Sequence, residues 1–252
     1  MQRFKITIEY DGRPFFGWQR QDGQPTVQQA LEEAAAKIND NAPVRVQGAG
    51  RTDRGVHATG QVAHFDLSTD RPLRKIADAL NFHLRPSPVA VLSAEQVADD
   101  WSARFNATLR AYRYVIINRR ADLTVDKGLA WRTPSRLDAS AMDRAAKAVI
   151  GQHDFSTFRD AECQAQHPIR TLNKIDVARY GEGLEVTVEA RSFLHRQVRS
   201  IVGSLVEVGR GARSEDWIGE ILDARDRTKC GPVAPADGLF LERVEYGAQQ
   251  DA

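Results

Sequence analysis

Cysteine is scarce in this sequence, which has only Cys163 and Cys230 among its 252 residues. Two cysteines so far apart in the chain offer no disulfide framework, and they favour a reducing compartment. Long apolar runs are also lacking near the N-terminus, where apolar and polar residues alternate from Phe4 to Tyr10. We therefore expect a cytoplasmic protein with no signal peptide and no membrane anchor.

An excess of charge of one sign is absent as well. The 35 lysines and arginines nearly balance the 34 aspartates and glutamates, so the net charge is +1. Any basic surface must therefore come from the local placement of arginines rather than from the composition as a whole. With 42% hydrophobic residues the chain can bury a sizeable core, and its length fits one large domain or two small ones.

The histidines do not occur in a pattern typical of a metal site. None of them forms a His-x₃-His pair or accompanies a Cys-x₂-Cys pair, which are spacings that place two ligands on one ion. We expect structural histidines and no metal. The six are His57, His64, His83, His153, His167 and His195.

The first part of the chain has the pattern of a ferredoxin-like unit. Alternation over Phe4–Tyr10 predicts a half-buried strand, and Thr26 is placed to cap a helix that carries Val27, Leu31 and Ile38 on one face. Strand, strand, helix and strand are then predicted in that order, which completes the sequence β-α-β-β-α-β. The second strand begins at 44–46 and runs into 48–50, and the remaining segments are 61–67, 73–84 and 89–92.

The second part predicts the same order of elements without any repeat of sequence. The segments are a strand at 111–117, a helix at 137–150, paired strands at 169–177 and 184–188 around the turn 180–183, a helix at 195–208, a short helix at 217–222 and a last strand at 239–244. We therefore predict an α+β fold with two ferredoxin-like halves, 1–104 and 105–252. The halves are expected to form a large mixed or antiparallel sheet, flanked by helices, with a central cleft.

The most informative segment is GAGRTDRGVHATGQ, residues 48–61, which lies between two predicted strands. Four of its first thirteen residues are glycine, and glycine permits positive φ and the close approach of another molecule. Asp53 lies between Arg51 and Arg54 in this loop. On composition alone two interpretations stay open. Asp53 caps an ordinary turn between solvated arginines, or the loop presents a carboxylate to a bound molecule.

Three further motifs accompany this loop. They are YDG at 10–12 with FGWQRQ at 16–21, RFNAT at 104–108 with YRY at 112–114, and FLHRQVR at 193–199 with VG at 202–203. Together with GAGRTDRGVHATGQVAHF they resemble, in the same order and across most of the chain, the bacterial tRNA pseudouridine synthase A family. The resemblance implies an isomerase that converts uridine to pseudouridine at positions 38, 39 and 40 in the anticodon stem-loop of tRNA. It also implies two ferredoxin-like halves, a homodimer, and no cofactor or metal.

The resemblance also implies roles for individual residues. Asp53 is the catalytic carboxylate, Arg199 is its guanidinium partner and Tyr112 lies against the target base. Arg51 is implied to follow the departing base or to grip a phosphate. The remaining arginines flank aromatic residues and are expected to follow the RNA backbone, although a solvated surface is the alternative for each one. The expected RNA-binding residues are therefore, besides Arg51 and Tyr112, the residues Arg104, Arg110, Arg113 and His195.

Two positions depart from the family pattern, and two other functions remain to be weighed. Arg54 stands where members often have a small residue, and Ser200 where they often have Asn. A non-catalytic RNA-binding module is disfavoured because the aromatic ribonucleoprotein motif is absent. A nucleosidase or glycosidase would need a second carboxylate near Asp53, for which Asp66 and Asp70 are candidates.

Overall fold

The structure is a computed structural model that describes residues 1–69 and 72–247. Its strands are β1 Gln2–Tyr10, β2 Gln47–Gly48, β3 His57–Leu67, β4 Val89–Val97, β5 Ala107–Ile117, β6 Trp131–Arg132, β7 Gly151–Asp154, β8 Ile169–Tyr180, β9 Gly183–Ala190 and β10 Leu239–Tyr246. Its α-helices are α1 Val27–Ile38, α2 Leu73–Leu84, α3 Ala139–Ala146, α4 Gln197–Gly209 and α5 Trp217–Ala224. The predicted α+β class is confirmed.

Two compact units divide the chain. The first contains Met1–Thr108 and the segment that starts at Phe240, and the second contains Leu109–Leu239. The last strand, β10, therefore lies almost wholly in the first unit, although it is the last element in the sequence. Among the described residues, no helix is both long and apolar enough to cross a membrane.

The first unit has the strand order of a ferredoxin-like sheet. β1 pairs antiparallel with β3 on one side and with β4 on the other, and β2 pairs antiparallel with the outer edge of β3. β10 takes the rest of that edge, where it runs parallel to β3 and pairs Phe240 with His57. A strand has only two edges to offer. Because β1 occupies one edge of β3 along its length, β2 and β10 share the other.

The second strand begins later than predicted. The segment 44–46 is not a strand, and pairing with β3 begins only at Gln47. The amide of Val46 instead donates to a carboxylate oxygen of Glu32 at 3.2 Å, and its carbonyl accepts from the side chain of Gln28 at 3.0 Å. Both partners lie on α1, so the backbone of Val46 satisfies its hydrogen bonds through helix side chains rather than through the sheet.

The helix α1 follows its sequence signals closely. The hydroxyl of Thr26 accepts from the amide of Gln29 at 3.3 Å and caps the first turn. Leu31 and Ile38 are buried beneath it. On β1 the alternate residues Phe4, Ile6 and Ile8 are buried and their neighbours are not.

In the second unit the strands lie in the order β5, β9, β8, β7, with antiparallel pairing throughout this set. The predicted hairpin is confirmed, because Tyr180 pairs with Gly183 across a turn in which Gly181 has φ +60°. The predicted helix 137–150 is shorter, with α3 ending at Ala146 and a single 3₁₀ turn following over Lys147–Val149. The short strand β7 was not predicted from the sequence.

Candidate active site

The loop that carries Asp53 connects β2 to β3, and the N-terminal motif packs directly against it. The amide of Trp18 donates to the carbonyl of Thr52 at 3.1 Å. The hydroxyls of Tyr10 and Thr52 are hydrogen-bonded at 2.8 Å in the interior. Thr52 is thus held through its backbone and its side chain, and it is the residue immediately before Asp53.

Two glycines of the N-terminal motif make this packing possible. Gly17 has φ +94°, and a Cβ atom built on it would lie 2.6 Å from the carbonyl oxygen of Thr52. A Cβ atom on Gly12 would overlap the carbonyl of Val56 on the far side of the loop. The two backbones approach more closely than any side chain allows. The motif therefore clamps the loop at Thr52 and at Val56, on either side of Asp53.

Asp53 itself lies at a tight turn within the clamped loop. Its carbonyl accepts from the amide of Val56 at 3.1 Å, and Gly55 takes the positive φ of +79° that closes the turn. Asp53 is half-buried, whereas Arg51 and Arg54 are exposed. The guanidinium of Arg54 lies 4.1 Å from the centre of the Phe16 ring. This arrangement holds the backbone of a carboxylate residue in place between exposed cationic neighbours.

Two buried side chains support the loop from below. His57 is 1% exposed, its Nδ1 accepts the amide of Gly12 at 3.1 Å, and its ring stacks on Phe240 at 4.7 Å. Burial raises the pKa of Tyr10 to about 12, although the hydrogen bonds to Thr52 and Gln61 oppose the rise. Tyr10 therefore stays a neutral hydroxyl at physiological pH and acts as a support rather than as a base. These contacts agree with the expectation that His57 is a structural histidine.

In the second unit Arg199 lies in the first turn of α4 and is half-buried. Its Nε donates to the carbonyl of Ala234 at 2.8 Å, and the amide of Ala234 donates back to the carbonyl of Arg199 at 3.0 Å. This reciprocal pair fixes Arg199 against the segment before β10. Arg199 is thus a positioned guanidinium, not a solvated helix residue.

Tyr112 and Tyr114 both point from β5 to the buried side. Tyr114 is fully buried, and its hydroxyl donates to the carbonyl of Pro235 at 2.7 Å. Burial raises the pKa of Tyr114 well above its usual value, against the opposing charge of Arg199. Tyr112 is 8% exposed and contacts Phe193 edge-on at 5.2 Å. Tyr114 is therefore the core member of the pair, and Tyr112 is the less enclosed ring.

The other predicted RNA-binding arginines differ in their environment. Arg104 is exposed and Arg113 is half-buried. Arg110 is 7% exposed, and its guanidinium donates to the backbone carbonyl of Arg191 next to β9. Part of the hydrogen-bonding capacity of Arg110 is therefore used within the protein, whereas Arg104 presents its side chain to solvent.

Sequence reasoning missed Asp160, which organises the start of α4. Its carboxylate accepts from the Arg196 guanidinium at 2.9 Å and from the amide of Glu162 at 3.0 Å, and it lies 3.7 Å from Nδ1 of His195. Burial acts to raise the pKa of Asp160, but the Glu162 amide and the charges of Arg196 and His195 outweigh it and hold the pKa below its usual value. Nothing in the local sequence marks this aspartate.

Asp160 also explains an unusual backbone conformation. Arg196 precedes α4 in the left-handed region, at φ 57°, without a side-chain cap for the helix. Such a conformation is costly for arginine and persists where neighbouring contacts hold it. Three side chains here also have atoms of the kind that bind metal ions, and these atoms lie within 4.8 Å of one another; the residues are Asp160, Glu162 and His195. The guanidinium of Arg196 already neutralises this carboxylate, so the cluster is accounted for as an ion pair.

The rival second carboxylates do not accompany the loop. Asp66 forms a two-point salt bridge with Arg3 at 2.7 and 2.8 Å. It lies near the end of β3, and the strand begins at His57 beside the loop. Nine residues of extended strand span about 30 Å, too far for a carboxylate pair on one glycosidic bond. Asp70 lies outside the described residues.

Comparison with known proteins places this arrangement in a family. A family model described as tRNA pseudouridine synthase matches residues 6–106 and 145–247, which include the Asp53 loop, its N-terminal clamp and α4. The chain therefore belongs to the tRNA pseudouridine synthase family, a class of RNA-modifying isomerases.

Individual relatives narrow the similarity further. The chain is 63% identical over 248 residues to the tRNA pseudouridine synthase A of Hyphomonas neptunium, covering 98% of this chain and 100% of that protein. It is 61% identical over 246 residues to the protein of the same name from Maricaulis maris, covering 98% of each. A relative of that name from Bradyrhizobium is 56% identical over 246 residues, covering 98% of this chain and 100% of that protein.

Proposed function

We propose that this chain is a tRNA pseudouridine synthase that isomerises uridine at positions 38, 39 and 40 of the anticodon stem-loop. The observation that carries the proposal is Asp53, a half-buried carboxylate on a loop that the N-terminal motif clamps on both sides. A turn that served only to connect β2 and β3 would not need this support. The family match, which covers both the loop and its clamp, supplies the reaction.

The reaction requires an ionised carboxylate and no redox partner. The N1–C1′ bond of uridine breaks, the uracil turns, C5 joins C1′, the hydrogen on C5 leaves as a proton, and N1 takes up a proton, so that the composition is unchanged. Asp53 acts on the substrate as a nucleophile or as an electrostatic partner of the developing positive charge. A nucleobase that covers the carboxylate would raise the pKa of the carboxylate by desolvation, and a guanidinium near the carboxylate opposes that rise. We assign this opposing charge to Arg199.

The target uridine must leave its helix to be reached. We assign Tyr112 to the flipped base, because an aromatic face stacks on uracil and the edge-on contact with Phe193 fixes the ring. Arg51, exposed two residues before Asp53, is assigned to the RNA near the flipped nucleotide. We assign four further side chains to contacts with the RNA backbone, namely Arg104, Arg110, Arg113 and His195.

The proposal extends to the setting in which the enzyme works. We infer a cytoplasmic homodimer that acts without metal or cofactor, as the resemblance to the bacterial family implies. The isomerisation transfers no electrons, so a redox cofactor has no step to serve.

A tritium-release assay separates this function from its rivals. The substrate is tRNA with tritium at C5 of uridine, incubated with the intact chain. A synthase releases tritium to water, a nucleosidase liberates free uracil, and a binding module does neither. We expect tritium release with no free uracil, and either rival result would overturn the proposal.

Matched variants connect the assay to the loop. Asp53→Asn should abolish tritium release and leave the tRNA dissociation constant within about threefold, because only a charge is removed. Asp66→Asn makes the same chemical change at the Arg3 salt bridge and should keep turnover near that of the unmodified chain. Equal loss of turnover in both variants would remove Asp53 from its assigned role.

A further inference from the structure

Residues 102–106, which overlap the RFNAT motif, form a closed turn at the surface of the first unit. The amide of Ser102 donates to the side chain of Asn106 at 2.8 Å, and the amide of Asn106 donates back to the carbonyl of Ser102 at 3.1 Å. The amide of Phe105 donates to the Ser102 hydroxyl at 3.4 Å. Three hydrogen bonds within five residues hold the conformation of this turn.

Buried side chains anchor the turn to the sheet. The amide of Ala103 donates to Nδ1 of His64 at 3.2 Å, and its carbonyl accepts from the hydroxyl of Tyr246 at 2.9 Å. Desolvation by burial lowers the pKa of His64, which keeps the ring neutral and able to accept. Arg3 donates to the carbonyl of Trp101 at 2.9 Å. The segment before Arg104 is thus fixed to three different strands.

At the tip of this anchored turn stands an exposed phenylalanine. Phe105 is 74% exposed, and the guanidinium of Arg104 lies 5.4 Å from the centre of its ring. Ala103, two residues away, is fully buried. The fold therefore fixes the backbone on which the phenyl ring stands and leaves the ring itself in solvent, where it contributes nothing to the core.

We propose that Phe105 is a stacking platform for a nucleobase of the bound tRNA, with Arg104 at its rim binding the adjacent phosphate. This inference rests on the proposed function. An aromatic ring beside an arginine is the pair that nucleic acids meet by stacking and by charge neutralisation. A second protein chain is the weaker fit, because a single ring and one cation supply far less than the roughly 800 Å² that a stable interface buries on each partner.

Stacking of this kind makes two predictions about energetics. It reads no base edge, so the contact adds affinity for tRNA without selecting one sequence. It also lies outside the reacting atoms, so it acts on binding and leaves the chemical step unchanged once tRNA is bound. Phe105 is thus assigned to substrate binding, and not to catalysis.

The test compares Phe105 variants by tRNA affinity and by single-turnover tritium release at saturating enzyme. Removal of one base–aromatic stack costs about 1–3 kcal/mol, so Phe105→Ala should raise the dissociation constant about 5- to 150-fold. The saturated single-turnover rate should stay within twofold. Phe105→Trp should restore affinity, whereas Phe105→Leu, which is apolar but not aromatic, should not.

The matched control is Phe82→Ala on α2. Phe82 is 70% exposed and contacts His83 edge-on at 5.1 Å, so its truncation removes a similar exposed ring without touching the Arg104 pair. It should leave tRNA affinity within twofold. Thermal melting should be unchanged in the Phe105 variants, because the ring is outside the core.

Three results would overturn the proposal. They are unchanged affinity in Phe105→Ala, full rescue by leucine, and a change of oligomeric state on gel filtration with tRNA affinity intact, which would assign the ring to a second copy of the chain. Failure of the proposed function can be told apart from failure of the stacking proposal. The proposed function predicts tritium release by the unmodified chain, whereas the stacking proposal predicts a loss of tRNA affinity in Phe105→Ala.

Discussion

Replacing Gly17 by alanine perturbs the Asp53 loop from outside the loop. The added Cβ would lie 2.6 Å from the Thr52 carbonyl oxygen, and ordinary contact begins near 3.4 Å. The carbonyl, which accepts from the Trp18 amide at 3.1 Å, must therefore recede by about 0.8 Å. Since Asp53 is the next residue, its carboxylate moves with it.

Two separate costs follow from this substitution. A non-glycine residue at positive φ is strained by roughly 1–2 kcal/mol, which lowers stability. Misplacing a catalytic group by about 1 Å costs on the order of 100-fold in rate. We expect turnover to fall about 10- to 100-fold at saturating tRNA, with the tRNA dissociation constant within threefold.

Gly23 provides the control for backbone strain alone. It has φ +72°, and a Cβ atom built there meets nothing within 4 Å. Gly23→Ala should therefore lose similar stability in urea unfolding and keep its turnover within twofold. Single-turnover tritium release measures both variants. If Gly17→Ala turned over at the normal rate, the clamp would have no part in placing Asp53.

Three further predictions concern the second unit. Asp160→Asn removes the Arg196 ion pair and should lower the free energy of unfolding by about 2 kcal/mol at pH 7. Because the folded pKa of Asp160 lies below 3.8, the stability advantage of the unmodified chain in urea unfolding should persist above that pH and shrink as the pH falls further. An advantage that grew in acid would contradict the lowered pKa. Gly203→Ala places a Cβ inside a neighbouring carbonyl and should destabilise by about 1–3 kcal/mol, whereas Gly219→Ala, with its nearest contact at 3.8 Å, should be neutral or stabilising by denaturant unfolding. Tyr112→Phe keeps the ring, so tRNA affinity should stay within twofold, and a tenfold loss in filter binding would refute stacking by this residue.

Much of the fold could be predicted because one-sided burial leaves a period in the sequence. The strand from Phe4 to Tyr10 and the capped helix after Thr26 are confirmed for that reason. The second strand begins later than predicted because the backbone of Val46 bonds to helix side chains rather than to the sheet. Apolar residues two positions apart indicate that a segment is buried, but they do not indicate whether a strand or side chains satisfy the hydrogen bonds of its backbone.

Long-range pairing was beyond the reach of periodicity. The strand at the end of the chain was predicted, but its partner was not. Phe240 pairs with His57, and this pairing depends on how much of the β3 edge the short β2 leaves open. Such competition for a strand edge depends on the assembled sheet and cannot be predicted from any single segment.

The same division holds at the candidate site. Asp53 could be singled out because the loop is rich in glycine and because its motif resembles a family. The clamp by Gly12 and Gly17 could not be predicted, since it depends on the distance between two backbones. Asp160 was missed because it acts through the conformation of Arg196, and an ion pair between residues 36 positions apart leaves no local pattern.

The most direct test of the central claim is to map pseudouridine in tRNA from cells that lack this chain and are supplied with either the unmodified gene or the Asp53→Asn variant. We predict pseudouridine at positions 38, 39 and 40 with the unmodified chain, and plain uridine at all three with the variant expressed at the same level. Pseudouridine at these positions in cells that have only the variant would contradict the account.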